Sequence, residues 1–242
     1  MGSFARNTRI VLSKEFKEQR RRRSQLLMLV MMLFLWMYNI RLISKTFQRL
    51  GYSGAASMLI GNLFTHQVMS CSIIVSFAGL ASLFYKEKHS RTLENLLTTA
   101  MTPKAVWIGK SLFMYLIGLT FSYVAAAIGL VLLNVSLGGG TRFILPNEPA
   151  LVFFFVIFPV LFFLLCSLMS LIHLISGSGY VGNMIYLLIG IGYLGMSSAR
   201  MKSMLVSWNT ICYYAAFLGL LLCLVVLLSR LLTKERMIMT ET

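Results

Sequence analysis

The sequence predicts an all-α membrane protein. Its architecture is six transmembrane helices, an N-terminal helix lying along the membrane surface, and a cytoplasmic helix between spans two and three. Three observations point there. First, 58% of the 242 residues are hydrophobic, well above the roughly 45–50% of a soluble domain, and the mean hydropathy is +0.80. Second, the apolar residues fall in runs near the length needed to cross a bilayer. Third, 22 Lys and Arg face only 7 acids, all of them Glu, and most of those bases flank apolar runs. That placement reads as topology signals. Nucleic-acid binding would require a soluble basic face, and no segment can form one.

Residues 1–24 form the first element. Arg6, Arg9, Lys14, Lys17 and the run Arg20, Arg21, Arg22 and Arg23 make it strongly basic. Leu12 and Phe16 share a helical face with Val11 beside them, so an interfacial helix is expected, its bases meeting anionic head groups. The apolar run Gln25–Ile40 follows. It lacks an A-x-A-like cleavage site, so it reads as a retained first span. Span two lies within Ala55–Tyr85.

The polar interruption at 86–106 comes next. Leu93, Leu96, Leu97, Ala100 and Met101 follow i, i+3, i+4, i+7, i+8 spacing, one stripe of a short amphipathic helix. Pro103 is expected to stop it. Span three is Trp107–Asn134, and a turn-rich loop covers Val135–Pro149. Span four is Ala150–Ser176, with Pro159 expected to kink it. "GSG" at 177–179 turns the chain. Tyr180–Gly195 is a short, glycine-rich span five, Met196–Trp208 is mildly polar, and Asn209–Leu232 is span six. With both termini cytoplasmic, 16 bases lie inside and 6 outside, as the positive-inside rule requires. No loop is long enough for a second domain, so 1–242 reads as one membrane domain.

Most chemistry is excluded on composition. Cys71, Cys166, Cys212 and Cys223 sit in apolar runs without metal-ligand spacing. His66 and His173 have no close ligand partners, and read as interhelical hydrogen-bonding groups. The chain has no Asp, and no Glu falls in an expected span core, which argues against carboxylate-based ion coupling. Lys110, near a span interior, is expected to snorkel to the cytoplasmic surface. No catalytic, metal or cofactor residues are expected.

The stretch "FYKEKHSRTLENLLTTAMTPKAVWIGK" resembles the signature of ABC-2-type transporter permeases, through Glu87, Thr92, Leu93, Glu94, Leu96, Leu97, Pro103, Gly109 and Lys110. "IVLSKEFKEQRRRR", holding Lys14, Glu15, Phe16 and Arg20–Arg23, is similar to the family's interfacial elbow helix. Arg91 stands where the family often has glycine, and Ala100 where it commonly has proline. The resemblance implies an exporter permease without ATPase motifs of its own. A separate ATPase subunit would bind ATP and magnesium and dock on Glu87, Thr92, Glu94, Leu96, Leu97 and Pro103. A second permease chain, as homodimer or heterodimer, would complete the pathway in the cell membrane. Six spans with both termini inside fit the family as well, and the chain shows no P-loop of its own: "GKS" at 109–111 has Lys104 where the upstream glycine would stand. The alternative class is a stand-alone membrane scaffold or channel without ATP coupling.

Overall fold

A computed structural model describes residues 2–20, 102–137, 143–175 and 207–233, together with single residues at 57, 60, 61, 65, 68, 69, 72 and 73. Every regular element among the described residues is helical: α1 (Gly2–Arg20), α2 (Pro103–Leu137), α3 (Glu148–Val152), a π-helical turn π1 (Phe153–Ile157), α4 (Phe158–Ile175) and α5 (Trp208–Arg230). Three stretches are long and apolar enough to cross a membrane: Pro103–Val135, Glu148–Ile175 and Trp208–Arg230. They coincide with expected spans three, four and six. The first and fifth spans, the second span apart from those single residues, the 86–101 stretch, and with them His66, lie outside the described residues.

Pro103 begins a helix. Its fixed φ and missing N–H suit the first helical position. Thr102 precedes it as cap, its Oγ1 accepting the Ala105 N–H at 3.3 Å. The sequence reading makes Pro103 a terminator of the preceding helix and a docking residue, and does not anticipate this start. At the far end, Asn134 holds the chain leaving α2. Its side chain donates to the Ile144 carbonyl at 3.1 Å and accepts the Ile144 N–H at 2.5 Å. The 35 residues of α2 give a rod of about 52 Å, against a hydrocarbon core of about 30 Å.

The α3–π1–α4 unit forms one long helix with a widened turn. The Phe158 N–H reaches back five residues to the Phe153 carbonyl. Pro159 follows directly, and in a regular α-helix its ring would collide with the Phe155 carbonyl. Pro159 therefore acts through a π turn in the residues before it. Around that turn lies an aromatic cluster. Phe158 stacks on Phe154 and on Phe162 at 6.3 and 5.6 Å. Tyr123 of α2 meets Phe154 edge-on at 4.7 Å, and Phe153 meets Tyr214 of α5 at 4.7 Å. Each such pair contributes about 0.5–1.5 kcal/mol beyond its buried area.

The packing order follows the chain: α1 on α2, α2 on α4, and α5 on α4 and π1. The core centres on α4, where Phe158, Leu161, Phe162, Leu171 and Leu174 are almost fully enclosed. Trp107 joins the two central helices by donating its Nε1–H to the Ser167 carbonyl at 2.9 Å. α5 contributes one stripe, Ile211, Leu221 and Val225 with Leu218 and Leu228 partly covered, and leaves its other faces exposed.

Candidate functional site at the base of α2

The most unusual chemistry among the described residues is a buried ion pair joining α1 to α2. Lys110 Nζ donates to Glu15 Oε1 at 2.9 Å, with the two residues 3% and 0% exposed. They are 95 residues apart in sequence. Lys110 therefore does not snorkel, as its sequence context suggested. A nearer carboxylate is supplied by the neighbouring helix, and a charge-assisted bond outcompetes extension of the side chain to water.

The surroundings explain how the two charges meet. α1 buries a stripe of Thr8, Val11 and Glu15, spaced i, i+3, i+7 on one helical face. The helices come closest at Gly109. A Cβ placed there would lie 2.8 Å from Val11 Cγ1, 2.9 Å from Val11 Cβ and 3.3 Å from the Thr8 carbonyl oxygen. Only glycine allows this approach, and the approach brings the next residue, Lys110, within reach of Glu15. Phe16 completes the contact, its ring meeting Phe113 edge-on at 5.0 Å.

The sequence-expected residues distribute unevenly over this junction. Glu15 is fully buried and Lys14 half-buried. Phe16 packs on Phe113 yet keeps much of its surface exposed. Arg20 ends α1, while Arg21, Arg22 and Arg23 lie outside the described residues, as do Glu87, Thr92, Glu94, Leu96 and Leu97. The expected apolar face of the N-terminal helix, Leu12 with Phe16, is offset from the observed one. Val11 and Glu15 are the enclosed positions, because the approach at Gly109 selects them. Sequence reasoning missed Thr8, placed Val11 only beside the apolar face, and named Glu15 without pairing it with Lys110. The available signal was the Thr8–Val11–Glu15 stripe, with an acid on a helix otherwise rich in bases. Arg6, Arg9 and Lys17 stay exposed and face away from α2.

Polar groups also meet deeper in the bundle. Ser72 and Ser122 share a hydrogen bond, and both are fully buried. Each hydroxyl also lies against a carbonyl four residues earlier in its own chain segment, Val68 and Gly118. Small hydroxyl residues of this kind let apolar helices approach closely. His173 is enclosed in the last turn of α4. Among the described residues, no group of three or more His, Cys, Asp or Glu could hold a metal ion. The junction has the makings of a mechanical connection: a helix seated on another with a fixed contact point and a charged key. The chain matches no family model, no curated protein and no solved structure.

Proposed function

We propose that this chain is the membrane-spanning permease subunit of an ATP-driven ABC exporter, driven by a separate ATPase subunit and working beside a second permease chain. The cargo class is hydrophobic, amphipathic or peptide- and glycolipid-like. On this reading the protein is multi-pass in the cell membrane with both termini cytoplasmic. Residues 86–106 form the coupling segment, and the N-terminal helix is the interfacial elbow. ATP and magnesium belong to the partner chain.

The observation that carries the reading is the Glu87–Lys110 stretch, whose acidic, T-L-E-x-L-L, proline and G-K components recur in that order in ABC-2-type permeases. Two further observations support it. Three long apolar helices suit a membrane protein, and the G-K pair is the point where the basic N-terminal helix is seated. In the proposed dock, Glu94 bonds a base of the ATPase, at about 1.5–3 kcal/mol. Leu96 and Leu97 enter an apolar cleft, at about 1.5–3 kcal/mol each if fully buried.

The test is affinity purification of the tagged chain from its native host in mild detergent, with ATP hydrolysis measured on the eluate. An ABC ATPase should co-purify, and Glu94→Ala with Leu97→Ala should abolish hydrolysis coupling while leaving the chain inserted. If no ATPase accompanies the chain and its activity ignores ATP, the scaffold or channel reading replaces this one.

A further inference from the structure

We propose that the Glu15–Lys110 pair is a register key, which fixes α1 on the first turns of α2 in a single position and makes the two helices move as one lever. The role of that lever in coupling rests on the permease reading; the docking itself does not.

Apolar contact alone would not define this position. The α1 surface facing α2 repeats every turn, with Thr8, Val11 and Glu15 one above another. A slide of α1 by one turn would bring Glu15 or Thr8 to Gly109 in place of Val11. Such a slide would also separate Glu15 from Lys110, leaving two charges in an enclosed, low-dielectric site without each other. Burying a charge apart from its partner is far costlier than losing an apolar contact. The pair therefore penalises registers that part Glu15 from Lys110. This use resembles the single buried polar residue that sets register in packed helices, the best-attested role for such groups.

The consequence reaches beyond α1. Lys110 lies seven residues after Pro103, where α2 begins, and the segment 86–102 runs directly into that start. A displacement of that segment would act on α2 at its base. With α1 keyed there, the same displacement would carry the N-terminal helix and its exposed Arg6, Arg9 and Lys17.

The experiment uses the full chain in a cysteine-free background carrying Phe16→Cys and Phe113→Cys, whose parent rings sit 5.0 Å apart. Disulfide yield in membranes reports register. It is compared for the parent, Glu15→Lys, Lys110→Glu, the exchange of both, and the apolar pair Glu15→Leu with Lys110→Met. Each single reversal should lower the yield at least about fivefold, and the exchange should return it to within about twofold of the parent. The apolar pair guards against variants that fail to insert, since a buried ion pair replaced whole by apolar groups commonly folds. It should insert normally yet crosslink at least about threefold less, because its register is no longer unique. Parental crosslinking by the apolar pair, or an exchange no better than the single reversals, would overturn the proposal. ATP hydrolysis by the purified complex is read in parallel. Absence of an ATPase sinks the permease reading and leaves the crosslinking result to stand by itself.

Discussion

α4 and α5 are both long, strongly apolar helices, yet they sit in different worlds. Of the apolar window of the helix ending at Ile175, 56% is buried inside the protein; for α5 the share is 17%. Hydropathy does not separate them, because lipid and protein interior are equally apolar solvents for a leucine. The small polar groups on the enclosed helix do separate them. α4 buries Ser167, Ser170 and His173 along with Cys166, while Cys212 and Cys223 of α5 are exposed. Buried hydroxyl and thiol groups permit close approach and find partners within the bundle. In a membrane chain, the sparse polar residues therefore say more about the interior than the abundant apolar ones.

The strongest way to sharpen this contrast is to remove one side of a buried ion pair. Lys110→Met leaves the Glu15 carboxylate enclosed without its ammonium partner, and should cost about 3–5 kcal/mol. Thermal unfolding in detergent would measure it, with Arg230→Met on exposed ground as the control, expected within about 0.5 kcal/mol. A parental unfolding temperature for Lys110→Met would mean that the junction does not hold α1.

Next in size is a matched pair of leucines. Leu171→Ala empties an enclosed site in α4 and should cost about 2–5 kcal/mol. Leu220→Ala on the exposed face of α5 should stay within about 0.5 kcal/mol. Equal losses, read from detergent denaturation, would break the assignment of α5 as peripheral. A large loss at Leu220 only when a second chain is present would instead reveal that face as an interface.

Two glycines give a smaller contrast of opposite sign. Gly109→Ala pushes a methyl into Val11 and should destabilise by about 1–3 kcal/mol. Nothing lies within 4 Å of a Cβ at Gly219, so Gly219→Ala should stabilise α5 by about 0.5–1 kcal/mol through helix propensity. The smallest effect is expected at the link between α2 and α4. Trp107→Phe removes the hydrogen bond to the Ser167 carbonyl and should cost about 0.5–1.5 kcal/mol, detected as faster amide exchange in the turn around Ser167.

Spans three, four and six were legible because a run of twenty apolar residues has few other uses. Their edges came within a few residues, although the sequence reading makes Pro103 a stop and reads neither Thr102 nor Ser207 as a start. The junction at Gly109 was less legible. Glu15 and Lys110 each look like ordinary interface residues, and only a contact spanning 95 positions turns them into a pair. Pro159 announced an irregularity but not its form: hydrophobic periodicity does not distinguish a kink from a widened turn.

The length of α2 carries one more consequence. A rod of about 52 Å in a bilayer core of about 30 Å has no depth of its own. It could ride higher or lower, or tilt, at a fraction of a kcal/mol per ångström. α1 is fastened about 10 Å from the end of that rod, like a collar on a shaft. A collar that cannot enter hydrocarbon, because its outer side carries Arg6, Arg9 and Lys17, limits how far the shaft can sink. On the permease reading proposed above, α1 lies outside the bilayer core; it would then set the draught of α2 in the membrane, and a thicker or thinner bilayer would change the tilt of α2 before it changed its depth.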